Sequence, residues 1–260
     1  MSKAGKLFDI PGITPVFTDC TGSTNADMKR MADEGAAEGT VLIAARQTAG
    51  RGRLGRSFFS PEGCGRYMSI LLRPKLPVSD ALRITTCAAA AAAEALETLS
   101  GKRALIKWVN DIMIGGRKVC GILAESSVCA DGSLRYCVLG IGVNLLPPAG
   151  GYPGELENIA GAVFDAGDAV ELRMKTADAI VRRFMEYYRS GLESSAFREE
   201  YRRRSLLTGL DVDVIPHAGA PAESAHVLGI DDDFSLAVRM DDGRVRHLSS
   251  GDVSVKRKKA

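Results

Sequence analysis

The segment from Gln47 to Phe59 holds the side chains best suited to chemistry on an anion. Its small and cationic positions alternate closely: Gly50, Arg51, Gly52, Arg53, Gly55 and Arg56. Glycines let backbone N–H groups approach a ligand, and guanidinium groups bind phosphate or carboxylate through two parallel hydrogen bonds. Guanidinium groups this close together repel one another until an anion arrives. A solvated basic loop is the alternative, but the pattern favours a mobile loop that closes on an anionic ligand.

Two nucleotide-binding patterns match this segment by chance. The glycine spacing fits the dinucleotide fingerprint, and the stretch from Gly50 to Ser57 is close to a P-loop. Both motifs need a helix directly after the glycines, because the helix N-terminus holds the phosphate. Pro61 and Gly63 oppose a helix here, and the P-loop lysine is missing. Any phosphate is therefore expected to be bound by arginine side chains on a loop.

A second informative segment runs from Lys107 to Glu125. Gly115-Gly116 lies between two apolar runs and predicts a hairpin turn, which places Lys107 and Asp111 across from Lys118. The period of two in a strand predicts that Lys118 shares a face with residues 120, 122 and 124. A lysine that begins a strand is commonly a solvated end. Its charged neighbours make a functional lysine the hypothesis worth testing.

Two further stretches carry polar groups in unusual surroundings. A predicted strand ends in Gly140-x-Gly142-x-Asn144, where bare backbone is able to accept a flat ligand and Asn144 to pair with it. Ser23 and Thr24 precede a predicted helix, and by themselves they are ordinary helix-cap residues.

Alternating strands and helices must position these segments. Three apolar runs predict the strands that lead up to and flank the arginine loop: 16–17, 41–45 and 67–72. Helical spacing and cap signals predict four helices: 23–34, 79–99, 168–189 and 193–204. The second is rich in alanine, so it is able to lie close to a sheet. We place Val170 in the apolar stripe of the third, and we expect the arginines between 182 and 204 to form a solvated face.

From Thr208 the pattern changes to short strands separated by turn signals. The predicted strands are 212–215, 225–230, 235–238 and 244–248. The expected fold class is α+β, with a mixed β-sheet flanked by helices in a domain over 1–205. Residues 206–260 are expected to form a small SH3-like C-terminal β-barrel, with a frayed basic tail at 256–259.

Composition argues against several classes of protein. The 260 residues carry a net charge of +2, which implies no long-range attraction to nucleic acid. No apolar run approaches the ~18 residues of a membrane span. Six scattered cysteines without a C-x-x-C pair are typical of a cytoplasmic protein with reduced thiols. All three histidines lie in the last fifth, so the first two hundred residues contain no histidine base or metal ligand.

Taken together, these segments resemble those of bacterial biotin–protein ligases of the short type. The matching segments are Thr21 to Asn25, Gln47 with the arginine loop, Lys107 to Asp111, Lys118 to Glu125, and Gly140 to Asn144. Their order and spacing agree over roughly residues 15–257. The resemblance implies the biotin–lipoate ligase fold, which is similar to class II synthetases. The sequence departs from the family at Val109, where proline is usual, and at Phe58, where tryptophan is common.

The resemblance also implies roles for individual residues. Those implied for biotin are Ser23, Thr24, Asn25, Gln47, Arg51, Gly52, Arg53, Lys118 and Gly121. Those implied for ATP are Arg51, Arg53, Arg56, Lys107, Asn110 and Asn144. The implied catalytic residues are Arg53, Lys107, Lys118 and Asp111, with Asp111 also a candidate ligand of Mg²⁺. Biotin and ATP would form biotinyl-adenylate, and a lysine of a biotin carboxyl carrier protein would then take the biotin.

Three other hypotheses about the function remain. A lipoate–protein ligase would share the sheet but is not expected to carry the arginine loop. An RNA-binding module would use the arginines on a phosphate backbone, but few aromatic residues lie beside them to stack on bases. A DNA-binding repressor needs a helix-turn-helix, and only about fifteen residues precede the expected catalytic domain. We therefore expect no DNA or membrane partner, and both a monomer and a homodimer remain open.

Overall fold

The computed structural model describes residues 8–192, 194–216, 220–249 and 254–257. Four helices lie in the larger part of the chain: α1 (Thr24–Asp33), α2 (Ala81–Ser100), α3 (Ala169–Arg189) and α4 (Ser195–Arg203). Seven strands lie among them: β1 (Thr14–Thr21), β2 (Thr40–Gln47), β3 (Gly65–Leu72), β4 (Ala104–Lys107), β5 (Asp111–Ile114), β6 (Arg117–Val128) and β7 (Leu134–Asn144). The predicted helices and strands of this region are confirmed with shifts at their ends, the largest at β1, which extends beyond the predicted 16–17 in both directions.

The seven strands form one mixed sheet in the order β1-β2-β3-β7-β6-β5-β4. β1 and β2 are parallel, and every other neighbouring pair is antiparallel. Every residue of β3 is buried, because helices cover both faces of the sheet. The alanines at 88–93 of α2 are fully buried against one face, whereas Met28 and Ala32 of α1 pack on the other. The mixed sheet flanked by helices is therefore confirmed.

A second sheet follows in the C-terminal part. Its strands are β8 (Asp211–Ile215), β9 (Glu223–Ile230), β10 (Leu236–Met240), β11 (Val245–Leu248) and β12 (Ser254–Arg257). They are antiparallel in the order β11-β10-β9-β8-β12, an arrangement that fits a small SH3-like unit. The expectation of a frayed tail from Lys256 is wrong for its first two residues, because β12 pairs with β8.

The two sheets share a continuous hydrophobic core. Phe197 and Tyr201 of α4 pack against Phe234, with the Phe197 and Phe234 rings stacked 5.6 Å apart. The indole Nε1 of Trp108 donates to the Phe234 carbonyl oxygen at 3.0 Å, and the Tyr201 hydroxyl donates to the Val109 carbonyl oxygen at 3.0 Å. The C-terminal unit thus contacts the turn between β4 and β5. A domain boundary at 205/206 remains a prediction.

Two expectations for the helices are wrong, each at one residue. Val170 is 63% exposed, because α3 begins beyond the edge of the core, with Asp168 capping it through the Val170 and Glu171 N–H groups. Arg204 is 5% exposed and pairs with Glu97 and Glu200, so it joins α4 to α2 instead of lying on a solvated face. Among the described helices, none combines the length and the apolar character that crossing a membrane needs.

Candidate active site

The arginine loop is a short hairpin between β2 and β3. The Phe58 N–H donates to the Gly50 carbonyl oxygen at 2.9 Å, and the Gly52 N–H donates to the Arg56 carbonyl oxygen at 2.7 Å. One 3₁₀ turn, Arg53–Gly55, forms its tip, and no α-helix follows the glycines. This agrees with the rejection of both nucleotide motifs. Any anion held here must be met by side chains and loop amides.

The loop returns over a floor of glycines. The Phe58 ring lies against Gly121 of β6 and Gly142 of β7, where an added Cβ would come within 3.0 Å and 2.5 Å of the ring carbons. The Lys118 Nζ atom lies 5.9 Å from the centroid of the same ring, and the edge of Tyr67 packs beside it. The bare backbone here lies against the chain's own phenyl ring, and the acceptance of a flat ligand at Gly140-x-Gly142-x-Asn144 stays a prediction.

Lys118 and Asp111 form an ion pair at this floor, with 2.6 Å between Nζ and Oδ1. The Gly115-Gly116 hairpin is confirmed, and it pairs β5 with β6. The prediction that Lys118 shares a face with residues 120, 122 and 124 is wrong. The register shifts between Ile112 and Met113, so the extra residue on β6 turns Lys118 to the opposite face. Its Cε and Nζ atoms lie over Gly121.

Arg53 connects the arginine loop to the turn between β4 and β5. Its guanidinium donates to Asn110 Oδ1 at 3.1 Å, and Asn110 Nδ2 donates to the Ile122 carbonyl oxygen at 2.7 Å. Burial lowers the pKa of the Arg53 guanidinium, and the nearby Asp111 carboxylate only partly opposes this effect. Arg53, a partly desolvated cation, and Lys118 both lie near Asp111, so the site carries two positive groups for an anionic ligand.

A polar cluster fills the end of the site at α1. We define it as Thr24, Asn25, Gln47, Ser60 and Ser69. Gln47 Oε1 accepts from the Thr24 N–H at 2.8 Å, and Gln47 Nε2 donates to the Ser60 hydroxyl at 3.0 Å. The Ser69 hydroxyl lies 2.8 Å from Thr24 Oγ1 and 2.6 Å from Asn25 Oδ1. Ser23 is the N-cap of α1, yet its side chain makes no cap hydrogen bond. Side-chain capping of α1 by Ser23 therefore does not explain the residues Ser23-Thr24-Asn25.

Sequence reasoning missed four of the residues in and beside this cluster: Lys29, Ser60, Ser69 and Glu125. A signal existed for two of them. Ser69 is a small polar side chain between the apolar Met68 and Ile70 of β3, and it is fully buried. Glu125 is a carboxylate directly after the apolar run 119–124 of β6, and ionised groups are seldom buried without partners. Lys29 and Ser60 lie in segments where a polar side chain does not stand out from its neighbours in the sequence.

The remaining predicted residues surround this centre. Arg51 and Arg56 are exposed, and Gly52 and Lys107 are half-buried. Lys107 is paired with Asp111 in the strand register. Asn144 ends β7, and its Nδ2 atom lies 3.5 Å from the Lys118 carbonyl oxygen. The structure therefore joins the loop, the hairpin and the glycine strand at one end of the sheet.

A resident metal does not fit the side chains of this site. Within the described ranges, no group of three His, Cys, Asp or Glu side chains is placed to hold an ion. Asp111 offers the one carboxylate at the centre, and Lys118 already pairs with it. Magnesium commonly reaches such sites on substrate phosphates and keeps several of its waters. We derive no step from a protein-held metal.

Comparison with known proteins agrees with this geometry. Residues 17–144 match the biotin/lipoate A/B protein ligase family. The chain is 30% identical over 253 residues to the bifunctional ligase/repressor BirA of Bacillus subtilis, covering 97% of this chain and 77% of that protein. It is 33% identical over 234 residues to the biotin–[acetyl-CoA-carboxylase] ligase of Paracoccus denitrificans, covering 86% and 93%. The structure of the Aquifex aeolicus biotin protein ligase in complex with biotin and ATP superposes with a TM-score of 0.74 at 25% identity, covering 94% and 99% of the two chains.

Proposed function

The chain belongs to the biotin/lipoate A/B protein ligase family, and from this membership we propose that it is a biotin–protein ligase. It activates biotin with ATP and transfers the biotinyl group to a lysine of a biotin carboxyl carrier protein. One observation carries the proposal most strongly. Lys118 lies over the glycine floor, and the partly buried Arg53 lies near Asp111, the partner of Lys118. Asn25 of the polar cluster lies against Gly140 on β7, the strand that also carries Gly142. A reaction between two anions needs this arrangement of cations.

The first step joins two negatively charged groups. A carboxylate oxygen of biotin attacks the α-phosphorus of ATP, the bond to the bridging oxygen breaks, and pyrophosphate leaves with the electron pair. Preorganised cations lower this barrier because they oppose the charge that accumulates during the attack. In the proposed assignment Lys118 lies beside the biotin carboxylate and Arg53 beside the phosphate. Magnesium enters with ATP as part of the substrate.

In the second step the amine of a carrier lysine attacks the acyl carbon of biotinyl-adenylate. An amide bond forms, the acyl–oxygen bond to the phosphate breaks, AMP leaves, and the amine loses a proton. Asp111 holds Lys118 in place before substrate binds and is the nearest candidate to accept that proton. We assign the ureido group of biotin to Ser23 and the polar cluster, and the adenine ring to Asn144. Because the reaction consumes ATP, we place it in the cytoplasm.

Exchange of radiolabelled pyrophosphate into ATP tests the activity. We expect exchange that depends on biotin and is at least about tenfold weaker with lipoate, because lipoate has no ureido group for the polar cluster. A gain in mass on a carrier domain incubated with the protein, biotin and MgATP tests the second step. Equal exchange with biotin and lipoate, or no exchange with biotin, would refute the proposal. Exchange with lipoate alone would identify the other branch of the family.

A substitution at Gly140 tests whether the polar cluster binds biotin. An added Cβ at this position would lie 2.2 Å from Asn25 Oδ1, so Gly140→Ala must displace the Asn25 amide. We expect biotin affinity, measured by calorimetric titration, to fall about tenfold or more, the loss of one good hydrogen bond to a ligand.

Gly229→Ala is the matched control, because nothing lies within 4 Å of its added Cβ and it also lies in a strand. Equal biotin affinity in the two variants would remove Asn25 from the proposed biotin contacts.

A further inference from the structure

Glu125 is a charged residue within β6 that the proposed reaction leaves without a role. It contacts Asn25 of the polar cluster, and its side chain is 21% exposed. A carboxylate in such a position costs free energy unless it is paired and hydrogen-bonded. Its partners therefore indicate what it does.

Both carboxylate oxygens of Glu125 are engaged by α1. Oε2 accepts from Asn25 Nδ2 at 2.8 Å, and Oε1 pairs with the Lys29 ammonium group. Burial raises the pKa of the Glu125 carboxyl, but the hydrogen bonds from Lys29 and Asn25 outweigh it and leave the pKa below its usual value. The group is therefore ionised at neutral pH. An ionised carboxylate only accepts hydrogen bonds, so it binds the NH₂ end of an amide and not its oxygen.

This polarity fixes the orientation of the Asn25 side chain. Its second amide hydrogen goes to the Leu123 carbonyl oxygen at 3.2 Å, so Nδ2 is committed to β6. Oδ1 is thereby turned toward the Ser69 hydroxyl, at 2.6 Å. A reversed amide would place a carbonyl oxygen against a carboxylate and another carbonyl oxygen, which is repulsive. Charge on Glu125 therefore decides which end of Asn25 faces the rest of the cluster.

The orientation of the Asn25 amide restricts the hydrogen bonding of the other residues that we assign to biotin binding. Ser69 also contacts Thr24 Oγ1, and Thr24 donates its N–H to Gln47 Oε1. Each of these groups can donate or accept at only a few positions, so the choice at Asn25 restricts the choices at the others. The ureido group of biotin carries two N–H donors and a carbonyl acceptor. A cluster with fixed polarity recognises that pattern better than one whose amides can turn.

We propose that Glu125, held by Lys29, is a positioning residue that orients the Asn25 amide and thereby sets the polar cluster for the ureido ring of biotin. The inference rests on the proposed function and adds a determinant of the choice between biotin and an acid without ureido N–H groups. Glu125 touches neither substrate nor the reacting atoms, so it acts through Asn25. Its effect belongs to biotin binding and not to ATP binding.

Two variants test the role. Glu125→Gln keeps the shape but removes the charge, and Lys29→Met removes the partner of that charge. For each we expect the KM for biotin in pyrophosphate exchange to rise about 10- to 100-fold, the range of a hydrogen bond to a charged group. The KM for ATP should stay within about twofold, and the preference for biotin over lipoate should fall. In the double variant the KM for biotin should rise no further than in Glu125→Gln, because the two residues act in series.

Glu171→Gln is the control, because Glu171 pairs with Lys175 on the exposed surface of α3. It should leave both KM values unchanged. An unchanged KM for biotin in Glu125→Gln, or an equal rise for ATP, overturns the inference while leaving the proposed function intact. If Glu125→Gln does not fold, Lys29→Met decides by the same criterion. An absence of biotin-dependent exchange in the wild-type protein would instead refute the proposed function itself.

Discussion

Lys118→Ala is expected to abolish efficient adenylation while leaving the protein folded. The ammonium group lies 2.6 Å from Asp111 over Gly121, where we place the biotin carboxylate. Removing one partner of a partly buried ion pair typically costs ~2–5 kcal/mol, or about 30-fold to several thousand-fold in affinity. The variant also removes the cation that pairs directly with Asp111, next to an incoming carboxylate. Both biotin affinity and the rate of pyrophosphate exchange should fall together.

Calorimetric titration with biotin and thermal unfolding are the two measurements for this variant. Lys175→Ala is the matched control, since Lys175 is exposed and pairs with Glu171 on one helix surface. Exposed ion pairs contribute ~0–1 kcal/mol, so this control should change neither measurement appreciably. Normal exchange in a normally folded Lys118→Ala protein would make Lys118 a solvated strand end, the alternative that the sequence left open.

Arg53→Ala is expected to release biotinyl-adenylate from the protein before transfer. Arg53 joins the loop to Asn110, and in the proposed complex it also meets the adenylate phosphate. Loss of a preorganised donor to a reacting group typically lowers the rate by about 10²–10³-fold. Without the hydrogen bond from Arg53 to Asn110, the loop holds the Phe58 ring less firmly over the glycine floor. Water then reaches a mixed anhydride that hydrolyses readily. Chromatography of the filtrate should detect free biotinyl-adenylate or its hydrolysis products.

Amide exchange across residues 46–66 measures the closure itself. The hydrogen bonds of the closed hairpin include those donated by the Gly52 and Phe58 N–H groups. In the absence of ligand, the arginines repel one another, so we expect fast exchange. Biotin and ATP together should slow it, and Arg53→Ala should weaken the slowing. Arg182→Ala serves as the control, because Arg182 pairs with Asp178 on the exposed side of α3. Slow exchange in the ligand-free protein would mean that the loop is preformed, and the closing mechanism would be wrong.

The sequence determined the parts of the site that are local in the chain. The arginine loop, the Gly115-Gly116 hairpin and the glycines at the end of β7 are all found where their residues predict. Turn formation, strand alternation and helix capping depend on contacts between residues a few positions apart, and such contacts leave a readable pattern. The resemblance to biotin–protein ligases rests on these same segments. It led to the family that the comparisons establish.

Only the tertiary structure decided how the charges are paired and which way they face. One extra residue on β6 turned Lys118 to the site face, against the alternation that the sequence predicts. Glu125 meets an amide 100 residues away in the chain, and Arg204, the C-cap residue of α4, is buried against Glu97 of α2. A charged side chain has the same sequence signature whether it is solvated or paired. Its partner is set by packing between distant elements. An unpaired buried charge is unfavourable, so the stable arrangements are those in which packing gives the charge a partner.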